Sequence, residues 1–242
     1  MLYSDISNEV NDRLNNKYFS GNNANELFRA ILHALRDVNT GNIGKGTRRV
    51  AYDFQRESTD LTYVSGTERY TLSTYITDLT ALKWIDDVLI NSDENTKFVK
   101  RSANYFRRKR GINISTKRMF ADEYLNGTRN ILIYNGESDT LNLIWYSNYL
   151  VLDGSTRQRT FSAGDSLNNQ QLLIPDEWCD CVIDLTTGYL YQRDRNEQST
   201  SSNTFLSAGR NELLNLINNL GRYEKRASEI RNIHSEWGSY QN

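Results

Sequence analysis

The chain has 242 residues, a formal net charge of −1, 38% apolar residues, one proline and two cysteines. That length can bury a sizeable core, and the near-zero charge excludes a global bias towards nucleic acid or an anionic membrane. Two cysteines exclude a disulfide framework, and no run approaches the roughly 20 apolar residues needed to cross a bilayer.

Met1–Phe19 holds no continuous apolar run, so no secretory signal is expected and synthesis is expected in the cytoplasm. A first helix is predicted over Ser4–Tyr18, with Ile6, Val10 and Leu14 spaced by four and Ser4 or Ser7 as its cap. Ser20-Gly21-Asn22 breaks it. A second helix starts at Asn23, where Glu26 completes a capping-box-like pattern. Its apolar stripe is Leu27, Ala30, Ile31, Ala34, Leu35 and Val38. His33 lies beside that stripe and reads as structural. Asn39–Gly46 ends the helix, and the two helices are expected to form an antiparallel pair.

From Thr47 the period changes to two. Val50–Phe54, Glu68–Ser73, Leu82–Ile90, Thr128–Tyr134 and Thr140–Leu152 read as strands. The last two are expected to form a hairpin around Asn135-Gly136. Leu141, Leu143 and Trp145 alternate with Asn142, Ile144 and Tyr146, so bulk on both sides predicts a strand covered on both faces. Thr96–Arg110 reads as a short helix with Val99, Ala103 and Phe106 inward. Asp153–Asn169 reads as a long polar loop.

Pro175 is the only proline, and it suits the first turn of a helix, where its missing N–H is no loss. Asp176 and Glu177 suit the positive end of the dipole. Trp178, Val182, Leu185 and Tyr189 recur on one face, predicting a helix that carries the core. Cys179 and Cys181 lie about 200° apart on that helix and cannot bond to each other or share a metal; they read as small core fillers. A Ser/Asn-rich connector is expected at 196–204. Phe205–Trp237 then carries an unbroken heptad-like seam of Leu213, Leu216, Leu220, Tyr223, Ala227, Ile230, His234 and Trp237. Gly221 is its soft spot.

No catalytic constellation, metal set or cofactor site can be assembled, and an enzyme is not expected. The two histidines, His33 and His234, have no neighbours at metal-ligand spacing. Gly41–Thr47 ends Gly-Lys-Gly-Thr and follows a helix, unlike a phosphate loop. Asp86-Asp87 would point to opposite faces of a strand. The one strongly basic segment, 97–118, contains Arg101, Arg107, Arg108, Lys109 and Arg110. Such a cluster can grip phosphate backbones with Tyr105, Phe106 and Phe120 stacking on bases. A solvated face, or a patch paired with acidic residues of another subunit, is the preferred reading.

The order of elements resembles that of the head-to-tail adaptor proteins of tailed double-stranded DNA phages. The likeness is carried by two N-terminal helices, then Tyr70-Thr71-Leu72-Ser73 and Leu82–Val88. Tyr105-Phe106-Arg107-Arg108 follows, then Ile131–Tyr134 with Leu141–Tyr146, and Leu172-Leu173-Ile174-Pro175-Asp176-Glu177-Trp178 opens a helix. It spans roughly 1–225 and rests on order and texture. The resemblance implies an α+β fold: a helical bundle built from N- and C-terminal helices, an inserted antiparallel β-domain and a long C-terminal helical arm. The corresponding segments are 1–46, 47–174 and 175–242, with the arm at 222–242. The bundle core would comprise Leu27, Ile31, Leu35, Trp178, Val182, Leu185, Tyr189, Leu213, Leu216 and Leu220.

In function, the resemblance implies a virion protein of the neck, without cofactor or membrane. It would form a ring, commonly of twelve copies, dock under the portal protein, extend the DNA channel and offer a platform for tail or further neck proteins. DNA would pass without specific binding. Tyr223, Ala227, Ile230, His234 and Trp237 would clasp the portal. The basic patch is not a feature of that family; because positive charge lining the channel would hold translocating DNA, it is expected at a subunit interface or on the outside. The alternative is a nucleic-acid-binding protein using 97–118.

Overall fold

The computed structural model describes residues 1–15, 22–44, 52–91, 93, 96–109, 118–134, 140–153, 156–160, 170–193 and 200–237, with side chains of the last helix described to 219. The protein is α+β, and the chain divides into two units: Met1–Phe54 with Tyr149–Asn242, and Gln55–Asn148. The sequence expectation put the boundaries at 46/47 and 174/175. The second boundary differs because three short strands after Tyr149 belong with the helices, and the first because Tyr52 and Phe54 pack against Trp178.

The first unit holds helices α1 (Tyr3–Arg13) and α2 (Asn22–Thr40), strands β8 (Val151–Asp153), β9 (Thr156–Gln158) and β10 (Gln171–Leu172), and helices α4 (Cys179–Arg193) and α5 (Thr200–Trp237). The expected serine caps sit inside α1. Instead the Leu2 N–H donates to Asp5 Oδ2 at 2.9 Å, closing the first turn. The helix stops at Arg13, short of the expected Tyr18, where Asn15 takes a left-handed φ of 53°. The three strands pair in the order β10-β8-β9, so part of the expected 153–169 loop is strand. The chain start is tied to them: Tyr3 N–H donates to the Gln170 carbonyl and Leu172 N–H to the Met1 carbonyl, both at 2.9 Å.

α4 is the element around which this unit packs, touching α1, α2 and α5. Pro175 precedes a single 3-10 turn, Asp176–Trp178, and the α-helix proper starts at Cys179. An amphipathic helix was expected, with one apolar face. The structure differs: every residue from Cys181 to Leu190 is buried except Asp184. Thr186, Thr187 and Gly188 are small enough to let α5 close over what would have been the polar side. Asp184 alone faces outward and is held by Arg13 Nη1 at 2.6 Å. Trp178 packs edge-on against Tyr52, ring centroids 4.8 Å apart, and the Tyr52 hydroxyl donates to the Val38 carbonyl at 2.9 Å. Leu27, Ile31, Leu35, Trp178, Val182, Leu185, Tyr189 and Leu213 are all buried in this one core, Leu216 is partly buried against it, and the Leu220 side chain lies outside the described residues.

α5 begins at Thr200, so the second half of the expected 196–204 connector is helical; 194–199 lie outside the described residues. Ser202 explains the change, since its hydroxyl donates to the Gly188 carbonyl at 3.1 Å and pins this turn to α4. The helix continues through Gly221 to Trp237, 38 residues or about 57 Å at 1.5 Å per residue.

The second unit contains β1 (Arg56–Thr62), β2 (Arg69–Thr71), β3 (Leu82–Ile90), β4 (Val99–Lys100), α3 (Ala103–Lys109), β5 (Met119–Leu125), β6 (Thr128–Tyr134) and β7 (Thr140–Ser147). They form a three-stranded sheet, β1-β7-β3, and a four-stranded one, β2-β6-β5-β4. β7 is the centre of the first sheet, and Leu141 to Ser147 are all buried. The segment expected as a strand at Val50–Phe54 is instead a 3-10 turn from Asp53, with 50–51 outside the described residues. The true strand follows at Arg56. The expected helix at 96–110 is shortened to α3, and Val99 is an exposed strand residue, not a core one.

The hairpin is also reassigned. β6 and β7 lie in different sheets, while β6 pairs with β5 from Met119↔Tyr134 to Leu125↔Thr128. The connecting residues, Asn126 (φ 50°) and Gly127 (φ 77°), both take the left-handed conformation of a two-residue hairpin turn. The Asn135-Gly136 turn lies outside the described residues.

Candidate functional site

Three places could carry recognition: the basic segment, the end of α5, and a cleft beside α4. Each is built differently.

Within the basic segment, charge is partly neutralised by the second unit itself. Glu123 on β5 has a side chain only 1% exposed, between Arg69 Nε at 2.8 Å and Arg107 Nη2 at 3.1 Å. Burial alone would raise its carboxyl, but the hydrogen bonds and charges of the two guanidiniums prevail and hold it below the usual range. Lys97 pairs with Asp87 at 3.1 Å, and Lys100 donates its ammonium to the Ile85 carbonyl. Arg101 is exposed and sits 5.6 Å over the Tyr105 ring. Arg108 is exposed, while the Lys109 side chain and Arg110 lie outside the described residues. The patch is therefore less positive than its sequence.

Another cation of this unit is half-buried. Lys83 on β3 donates to Gln55 Oε1 at 2.6 Å, and desolvation pulls its ammonium down to about 7.

At the end of α5, the backbone is helical through Tyr223, Ala227, Ile230, His234 and Trp237, whose side chains lie outside the described residues. Leu213 is the last buried residue described along this helix, and Leu216 and Ile217 are partly buried against the core.

The cleft lies in the first unit between α2 and α4. It measures about 390 Å³ and is lined by Arg29, His33 and Arg36 from one side and Tyr189 and Arg193 from the other. Residues 29, 33 and 36 share the exposed face of α2, opposite its apolar stripe, so His33 does not adjoin that stripe, contrary to expectation. Among the described residues none of the three guanidinium groups forms an ion pair. The cleft floor is held firmly. The Tyr189 ring lies 4.2 Å from the His33 ring, and its hydroxyl donates to Oδ2 of buried Asp37. Asp37 Oδ1 accepts from Asn42 Nδ2 at 2.8 Å. Burial, then the Asp37 carboxylate, push the Tyr189 hydroxyl pKa up, so it stays a donor. In the sequence His33 reads as a lone structural residue, and Arg29, Arg36 and Arg193 escape notice. The four-and-three spacing on α2 was the available signal, but Arg193 joins it only through the packing of α4.

Among the described residues no group of three His, Cys, Asp or Glu side chains is placed to hold a metal ion, and no helix is long and apolar enough to cross a membrane. Both cysteines are free thiols: Cys181 is buried, with its Sγ 3.3 Å from the Gly209 carbonyl, and Cys179 is half-buried. No protein family and no curated protein matches this chain.

Proposed function

We propose that this protein is a structural virion component: a ring-forming adaptor that docks under a phage portal, extends its DNA channel and presents a platform for the tail. The observation that carries the reading is the order of its parts. A helical unit formed by both chain ends is interrupted in sequence by a strand-rich unit, Gln55–Asn148. It closes with a 38-residue helix whose packed residues, as described, end near Ile217. In this proposal α1, α2, α4 and the first half of α5 form the bundle, 55–148 is the inserted β-domain, and 222–242 is the arm. A ring of identical subunits joins two different patches head to tail, and exposed Arg101 and Arg108 suit one of them.

The alternative, nucleic-acid binding through 97–118, loses support from the internal pairing of Arg107 and Lys97. A steep, salt-sensitive affinity for DNA abolished by Arg101→Ala with Arg108→Ala would restore it. The test of the adaptor reading is to mix the purified protein with its cognate portal. Co-sedimentation, with an added ring visible by electron microscopy, is expected. Absence of both would overturn the proposal, whereas a monomer on its own would be compatible with it.

A further inference from the structure

We infer that the cleft between α2 and α4 binds a small polyanion of the linked-phosphate class, such as pyrophosphate or the polyphosphate of a nucleotide. This stands apart from the adaptor reading and does not depend on it. Elsewhere Arg13 pairs with Asp184, Arg69 and Arg107 with Glu123, and Arg129 with Asp122. The cleft has no such pairing among the described residues. It gathers Arg29, Arg36 and Arg193 around one opening with no ion pair among the described residues, although the whole chain carries a net charge of −1. Like charges facing one recess repel, and the recess strengthens their joint field. An anion seated between them removes that repulsion and gains charge-assisted, bidentate hydrogen bonds, which guanidinium groups offer to phosphate oxygens.

The dimensions select among anions. Arg29 and Arg36 are seven residues apart on one helix face, so their Cα atoms lie on the order of 10 Å apart along the axis. A lone phosphate lacks the length to engage both ends together with Arg193, whereas two or three linked phosphates form a chain of charge along the row. At about 390 Å³ the cleft is of small-molecule size. It is also preformed. Tyr189 is locked by Asp37, Asp37 is held by Asn42, and His33 rests on the Tyr189 ring, so the floor needs no reordering when a ligand arrives.

The experiment is isothermal titration calorimetry of the full chain with pyrophosphate, ATP, inorganic phosphate, a thymidine oligonucleotide and a hexaglutamate peptide. Pyrophosphate and ATP should bind one site, both more tightly than inorganic phosphate. Arg29→Ala combined with Arg193→Ala should weaken them by at least about tenfold, the loss expected of one charged hydrogen bond, with the melting temperature unchanged. Arg36→Lys, which keeps the charge, should lose less affinity than Arg36→Ala. Binding by inorganic phosphate as tight as by pyrophosphate would overturn the linked-phosphate assignment. So would preference for hexaglutamate, binding of the oligonucleotide alone, absence of binding, or pyrophosphate affinity unchanged in the double variant.

Discussion

Gly188 on α4 and Leu206 on α5 meet so closely that a Cβ on the glycine would stand 2.6 Å from the leucine Cγ and 2.9 Å from its backbone nitrogen. The contact is repeated one turn on, where a Cβ on Gly209 would lie 3.0 Å from the Leu185 backbone nitrogen. Two glycines therefore set the spacing of the two helices that build the core. Gly188→Ala should destabilise the protein by about 1–3 kcal/mol through overpacking, read as a lower melting temperature. Adding Leu206→Ala should not restore full stability, because the backbone clash remains. An unchanged melting temperature in Gly188→Ala would show that the helices are not packed this tightly.

Glu123 stabilises the second unit in a pH-dependent way. Glu123→Gln keeps the shape and removes the charge, costing about 1–3 kcal/mol. The figure is modest because Arg69 and Arg107 are 41% and 52% exposed and keep water when released. The folded carboxyl lies below its unfolded value of about 4.3. Its contribution is therefore complete above that value and is lost as pH falls through the folded one. The stability gap between wild type and variant should hold steady from neutral pH to about 5 and narrow below about 4. Urea titrations across that range measure it.

Lys83 acts in the opposite sense. Its folded amine titrates near 7 because burial disfavours the ammonium, against about 10.4 unfolded. The charge penalty is complete below 7 and is relieved as pH rises towards 10.4. Wild type should gain stability between pH 7 and 9.5 relative to Lys83→Met. Parallel pH profiles for the two proteins would contradict the burial of this group.

The thiols should be sluggish. Burial first, then the Asp176 and Asp180 charges, push Cys179 up to about 11, and burial with the Glu212 and Asp184 charges pushes Cys181 higher still. In the native protein at pH 8, Ellman's reagent should react slowly with Cys179 and reach Cys181 only on unfolding. Rapid titration of two thiols in the native state would place Cys181 at the surface.

Deleting 222–242 should leave one cooperative unfolding transition, because the packed residues described on α5 end at Leu216 and Ile217. Circular dichroism during thermal melting tests this. Loss of the transition would assign the segment to the core.

Much of the helical half was legible because local spacing determines which side of a helix is apolar. The stripe Leu27, Ala30, Ile31, Ala34 and Leu35 lies where its three-and-four spacing put it, buried in the core. Pro175 marked the entry to α4 to within a turn. The sheets were less legible. Met119–Leu125 was overlooked because Asp122 and Glu123 interrupt its apolar pattern, and only the distant Arg69, together with Arg107, makes Glu123 tolerable inside. The cleft escaped for a similar reason, since Arg193 is 157 positions from Arg36 and meets it only across two packed helices.

Asn126-Gly127 shows the division most directly. The sequence by itself determined that an Asn-Gly step suits a tight turn, because the backbone conformations available to these two residues are a local property. The hairpin was nevertheless expected at Asn135-Gly136, outside the described residues. Which strands then pair was decided by the tertiary structure: β6 turns back on β5, while β7 is the buried centre of another sheet. Turn chemistry is short-ranged, whereas strand pairing depends on which faces can be covered together. The same holds for α4, whose local pattern promised one apolar face. Close approach by α5 at Gly188 buried the rest of it.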